Sequence, residues 1–292
     1  MPGLMRTVLA FVVAVAASGC SPLRALDVGG ADDATRVTTG ISYGENARQK
    51  LDIYVPAGVD KPPVVVFFYG GSWTSGSRAD YAFVGNALSS RGILAVVADY
   101  RLYPQVSYPD FVSDSARAVA WTLAHAGEYG GDTQRVFVAG HSAGAYNAAM
   151  VSLDARWLAA AGASPAQLAG WIGISGPYDF LPIQDKEVKP VFHFPDTPRG
   201  SQPIHHVGPG APPALLLTRA EDGVVDPVRN TGELAAALHR AGVPVRERIF
   251  PGKGHFILVG AFSRLLRSAD PVLDEVSGFV HGTPVRRQAA RP

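Results

Sequence analysis

Val136-Phe137-Val138-Ala139 runs without a break into Gly140-His141-Ser142-Ala143-Gly144, and a small-residue stretch follows as far as Met150. Four consecutive apolar residues ending at glycine suit a strand buried on both faces. The residues after Gly144 permit a helix. A strand that turns directly into a helix leaves no room for side chains beside the corner, which accounts for glycine two before and two after the serine. The corner residue is forced into a strained backbone conformation. Its hydroxyl then stands at the C-terminal edge of a sheet, beside a helix N-terminus whose dipole favours negative charge. The amide of Ala143, next in the chain, points toward any oxyanion formed there.

The rest of the chain repeats this alternation. Strand patterns occur at residues 49–56, 62–69, 93–100, 135–140, 168–176, 213–218 and 245–250. The run at 62–69 is continuously apolar between prolines and glycines, as an inner parallel strand requires. Helical patterns occupy 81–90, 111–126, 230–242 and 269–280. Strands alternating with helices predict an α/β domain with a mostly parallel central sheet covered by helices on both faces. Two segments interrupt the series, 154–167 and 178–212. The second spans about 35 residues and holds Phe180, Phe192 and Phe194. It reads either as a small loop-rich cap over a pocket or as a surface loop with its own apolar cluster.

With 292 residues, 47% hydrophobic and 17% charged, the chain has enough apolar material for one large core. A net charge of +1 with no long basic block offers nothing to a nucleic acid. The N-terminus reads separately. Arg6 precedes an apolar stretch at 9–17 that is too short to span a bilayer and ends in Ala17-Ser18-Gly19-Cys20. This resembles a bacterial lipoprotein signal, in which the cysteine is lipidated and becomes the first residue. Cys20 is the only cysteine, so no intramolecular disulfide forms. The expected organisation is a signal at 1–20, a tether at 21–36, the α/β domain at 37–280 and a flexible tail at 281–292. The expected location is extracytoplasmic, on the bacterial cell envelope, with membrane attachment only through that anchor; an unused signal cysteine would mean secretion instead.

A serine hydroxyl becomes a nucleophile only with a base to take its proton, a partner to orient the base, and donors for the oxyanion. Among eight histidines, His255 stands out, in the glycine-rich segment Pro251-Gly252-Lys253-Gly254-His255 after the last strand. His141 reads as a packing residue, because neighbours in a tight corner point apart. His193, His205 and His206 lie in the long interruption, and their spacing predicts no zinc site. Three acids follow the strand at 213–218: Glu221, Asp222 and Asp226. Upstream, Tyr69-Gly70-Gly71-Ser72-Trp73 follows an inner strand, and paired glycines let backbone amides approach a substrate.

In this order the motifs resemble the α/β-hydrolase family, in its carboxylesterase and hormone-sensitive-lipase-like branch. The resemblance spans roughly residues 49–279 and includes Asp99-Tyr100-Arg101-Leu102-Tyr103-Pro104, a segment that orders the loop below the site. It implies an α/β-hydrolase fold with a catalytic set of Ser142, Asp222 and His255. Asp222-Gly223-Val224-Val225 matches the family's Asp-x-x-Val register, which leaves Asp226 as a cap and Glu221 behind both. Gly71, Ser72 and Ala143 would form the oxyanion hole. Trp73 would line the substrate pocket or pack in the core. Tyr69 replaces the family's usual histidine. The implied activity is hydrolysis of small or medium carboxylic esters without metal or organic cofactor, with a small-molecule ester as the partner. An arylformamidase-like amidohydrolase shares the Gly-Gly-x-Trp loop, and a catalytically silent binding protein on the same fold is the remaining reading.

Overall fold

The computed structural model describes residues 22–27, 30 and 35–284. Eight strands form one sheet: β1 (Thr35–Ser42), β2 (Lys50–Pro56), β3 (Pro63–Phe68), β4 (Leu94–Ala98), β5 (Asp132–His141), β6 (Leu168–Ile174), β7 (Ala214–Glu221) and β8 (Val245–Lys253). Their spatial order is β1-β2-β4-β3-β5-β6-β7-β8. Pairings of β1 with β2 and of β2 with β4 are antiparallel, and all others are parallel. Every residue of β3, β4 and β6 is buried, so the sheet is covered on both faces. The two outer strands, β1 and β8, are largely exposed, and β8 carries Arg246, Glu247 and Arg248, charges that discourage edge-to-edge pairing.

Seven α-helices accompany the sheet among the described residues: α1 (Ala82–Ser89), α2 (Asp110–His125), α3 (Ala143–Leu153), α4 (Ala155–Ala160), α5 (Glu233–Arg240), α6 (Ile257–Gly260) and α7 (Val272–Gly282). Helix α3 is buried at every position and packs on β5 and β6. Its small residues allow that close approach, whereas α5, on the surface, shows only Leu234, Ala235 and Leu238 to the core. In register, Phe68 of β3 pairs with Gly140 of β5, and Ile174 of β6 pairs with Leu217 of β7. The loops after these strands therefore leave from one edge of the sheet, where open α/β sheets place ligands.

Three sequence expectations are corrected. Residues 22–26, inside the expected tether at 21–36, form a 3₁₀ turn that docks on the domain. Arg24 pairs with Asp80 at 2.9 Å, Asn86 donates to the Asp27 carboxylate, Ser263 donates to the Leu26 carbonyl, and Leu23 and Leu26 pack against the core. Strand β1 begins at Thr35, two residues inside the expected tether. The expected tail loses its first residues to α7, which continues to Gly282 and bonds through His281 to the Arg91 carbonyl. Residues 154–167, expected as an interruption, contain α4 and a capped 3₁₀ turn. The signal segment, Cys20 and residues 285–292 lie outside the described residues. Deleting residues 1–30 is expected to lower Tm by about 5 °C, since the docked leucines and polar contacts together contribute on the order of 2 kcal/mol. An unchanged melting curve for the truncated chain would show that the docked arm adds nothing.

Candidate active site

The corner between β5 and α3 has the strain expected of it. Ser142 has φ 53° and ψ −121°, in the left-handed half of backbone space. Its amide donates to the Ile174 carbonyl at 2.9 Å, which pins the corner to β6. A Cβ on Gly140 would lie 2.2 Å from the Gly144 carbonyl oxygen, and one on Gly144 would lie 2.0 Å from the Phe68 oxygen. Both positions therefore require glycine. The Ala143 amide is the first of α3 and has no acceptor within the helix.

The loop after β3 lies against this corner: a Cβ on Gly70 would meet the Ser142 Cβ at 3.0 Å. Three consecutive residues take positive φ, with Gly71 at 129°, Ser72 at 51° and Trp73 at 59°. Such a run persists only where its surroundings over-determine it. The Trp73 indole N–H donates to Asn147 Oδ1 of α3 at 3.0 Å, and its ring packs on Phe192 and Tyr146. Trp73 is 2% exposed and also borders the cavity.

Tyr69 explains how the loop is ordered without the usual histidine. Its ring stacks between Tyr81 and Tyr100, and its O–H donates to Asp99 at 2.8 Å. Burial, reinforced by the Asp99 charge, raises the phenol pKa and keeps that proton in place. Arg48 donates to the same phenol oxygen at 2.7 Å, and the Arg78 amide and guanidinium bind Asp99. The Asp99 segment thus orders the loop.

His255 and Asp222 meet from 33 residues apart: His255 Nδ1 lies 2.8 Å from one Asp222 oxygen and 3.0 Å from the other. Both side chains are buried. The Val224 and Val225 amides also donate to Asp222. Burial pulls the Asp222 pKa up, but the hydrogen bond and charge of His255 and these two amides outweigh it, bringing it down to about 2. The competing acids are elsewhere. Asp226 caps the turn at Val228 and Arg229, and Glu221 faces Lys253 on the surface at 3.5 Å. His255 Nε2, the nitrogen opposite Asp222, is buried and makes no hydrogen bond to Ser142 or any other described residue. Such bonds are commonly long in a free enzyme and tighten when substrate arrives.

A cavity of about 330 Å³ opens at the corner. Ser72, Trp73, Ser142 and Ala143 form one end; Phe180, Ile183 and Val188 of the long interruption, with Val224 and Val225, form an apolar wall. Gly71, Asp222 and His255 are not part of its lining. The interruption does both things expected of it: Phe180 borders the cavity, and Phe192 is buried among Trp73, Tyr108 and Phe111. Its entry is fixed by Asn230, which accepts from the Tyr178 and Asp179 amides. His193 and His206 are spent on the Tyr108 and Gly200 carbonyls. Sequence reasoning missed the contacts of Asn147 and Asn230; only the Trp73 N–H, a donor needing a buried acceptor, hinted at Asn147.

The BD-FAE family profile matches residues 51–238, from β2 through most of α5, a span that includes Ser142 and Asp222. The chain belongs to the BD-FAE family. This BD-FAE chain is 29% identical over 271 residues to the probable isoprenylcysteine alpha-carbonyl methylesterase ICME of Oryza sativa subsp. japonica, covering 84% of itself and 64% of that protein. It is 31% identical over 237 residues to esterase LipC of Mycobacterium tuberculosis, covering 74% of itself and 58% of LipC. It thus spans less than two thirds of either relative's length. It superposes on the propionate-bound Est2 esterase of the Planctomycetes species Thermogutta terrifontis with a TM-score of 0.70 at 23% identity, over 88% of this chain and 97% of that one. The shared fold is the α/β-hydrolase fold.

The site should also set the acid limit of stability. Burial, then the neighbouring His255, lowers the His141 pKa to about 3. An unfolded chain protonates that histidine from about pH 6.5 downward, so the unfolded state binds more protons between about 6.5 and 3. Stability from His141 is complete above that window and is lost as pH falls through it. Asp222 adds a second loss from about pH 4 down to about 2. Tm measured against pH should fall through both windows, and His141→Gln should flatten the upper one. Equal slopes in the two proteins above pH 4 would contradict this account.

Proposed function

We propose that this chain is a serine carboxylesterase that hydrolyses small to medium carboxylic esters. The observation that carries the reading is the buried Asp222–His255 pair, whose remaining imidazole nitrogen is unpartnered and whose ring lies 4.9 Å from that of His141, the residue before Ser142. In this mechanism Ser142 attacks the ester carbonyl as His255 takes its proton. Asp222 orients the imidazole and stabilises its protonated form. The amides of Ala143, Gly71 and Ser72 receive the oxyanion. The proton passes from His255 to the departing alcohol, and water then cleaves the acyl-enzyme by the same route. Side chains and amides supply all of this chemistry. The ester-hydrolase names of the two relatives support an ester bond as the target, and a cavity near the lower end of ligand-pocket sizes supports a small substrate.

The test is turnover of p-nitrophenyl acetate and butyrate by the purified chain, beside N-formylkynurenine and labelling by a fluorophosphonate. Ester turnover with labelling supports the reading. Faster cleavage of N-formylkynurenine would replace it with a formamidase, and failure to label would leave a silent binding protein. We also propose that Cys20 is lipidated and that the domain is tethered extracytoplasmically. The signal pattern at 1–20 supports this. In a bacterial host an alkyne-palmitate label should appear on the chain and vanish in Cys20→Ala; a label that persists, or never appears, removes the anchor.

A further inference from the structure

His141 is fully buried and forms no part of the cavity wall. Its Nε2 lies 3.1 Å from the main-chain carbonyl oxygen of His255. A carbonyl oxygen only accepts, so Nε2 carries the proton and Nδ1 is left as an acceptor. That Nδ1 is buried and unpartnered, and a Cβ on Gly70 would approach it to 2.9 Å. The two imidazole rings lie 4.9 Å apart, and Phe256 closes over His141 at 5.6 Å. One ring therefore touches all three parts of the site. It is bonded through the chain to Ser142, packed against the first glycine of the oxyanion loop, and hydrogen-bonded to the backbone of the base.

We propose that His141 is a positioning residue: a neutral, Nε2-protonated imidazole that sets the height of the His255 main chain relative to Ser142 and the Gly70-Gly71 loop. The need for such a strut comes from the chain around the base. Gly252 and Gly254 both take positive φ, at 88° and 111°, and His255 follows them between β8 and α6. Asp222 fixes the rotation of the His255 ring through Nδ1. The Gly254 amide donates to the Glu221 carbonyl at 3.3 Å and Arg219 donates to the Lys253 carbonyl at 2.6 Å, which hold the chain up to the residue before the base, and the His255 carbonyl itself accepts from His141. A displacement near 1 Å is worth about a hundredfold in rate. The charged groups facing His141 are His255 and Asp222, and burial keeps His141 itself uncharged. That neutrality matters, because His255 must become a cation in the reaction and a second cation beside it would oppose the step.

This inference rests on the serine-hydrolase reading, and the two fail differently. If the unaltered full chain neither turns over p-nitrophenyl butyrate nor labels with a fluorophosphonate, the reading fails. If it does both, His141→Phe, which keeps a planar ring in place and removes the donor, should lower kcat per titrated site by about 10- to 100-fold with KM within about threefold. Fluorophosphonate labelling should slow in proportion. His141→Gln, whose amide can donate to the same carbonyl, should recover most of the rate. A purely structural role would lower Tm and the titratable fraction but leave kcat per site unchanged, and that result would overturn the proposal, as would a Gln variant no faster than Phe. Nitrogen NMR of the unaltered protein is independent of folding in the variants. It should find one histidine as the Nε2–H tautomer that does not titrate between pH 5 and 8; a doubly protonated or Nδ1–H form at His141 would sink the idea.

Discussion

Ser142→Ala lowers kcat for p-nitrophenyl butyrate by a factor on the order of 10⁴ to 10⁶, with the fold and Tm essentially retained. The substitution removes the only hydroxyl at the corner between β5 and α3. It leaves the Asp222–His255 bond and the Ala143 amide where they are. Alanine tolerates the strained φ no better than serine, so the stability change should stay within about 1 kcal/mol. Steady-state rates on enzyme freed of contaminating esterase by repeated purification check the first part, and calorimetry the second. Turnover within tenfold of the unaltered chain would mean that some other group attacks the ester. Asp222→Asn should follow the same direction, with a loss near 10⁴, because an amide cannot hold the His255 tautomer that a carboxylate does.

The next largest effect is expected on stability rather than rate. Gly144→Ala should cost about 3 kcal/mol or more and lower Tm by roughly 10 °C. The added methyl would lie 2.0 Å from the Phe68 oxygen and 2.4 Å from its carbon, both backbone atoms of the innermost region of the sheet. No rotamer change relieves a clash with backbone, so either β3 or α3 must shift. Such a shift also moves the loop that begins at Tyr69, which the proposed mechanism uses for the oxyanion, so activity is expected to fall with stability. By contrast Gly278→Ala, on α7 with open space around its Cβ position, should be neutral or slightly stabilising. Equal melting temperatures for the two variants would refute the steric account.

Much of this architecture was legible along the chain. Continuous apolar runs marked β3 to β7 because inner strands are buried on both faces, and helical spacing marked α1, α2 and α5. The strain at Ser142 was legible too, since glycine at 140 and 144 is needed only where backbones touch. The boundaries were less so. Helix α7 starts at Val272, after Pro271, rather than at Ala269, because Asp270 is drawn back to an ion pair with Arg219. Docking of the arm at 22–27 left no periodic signature. It depends on single contacts to Asp80, Asn86 and Ser263, residues far downstream.

The sequence by itself determined that a parallel sheet would carry a serine at a tight strand-to-helix corner, with a glycine loop one strand earlier and a histidine on a late loop. Those are local properties, encoded by the period of apolar residues and by the space that glycine leaves. The Asp-x-x-Val register pointed to Asp222 among three acids; only the tertiary structure decided that it comes within 2.8 Å of that histidine, that Tyr69 bonds to Asp99, and that His141 bonds to the carbonyl of a residue 114 positions away. A hydrogen bond forms where two atoms come within about 3 Å in the right direction. That distance is set by how whole strands pack, and no short stretch of chain contains it.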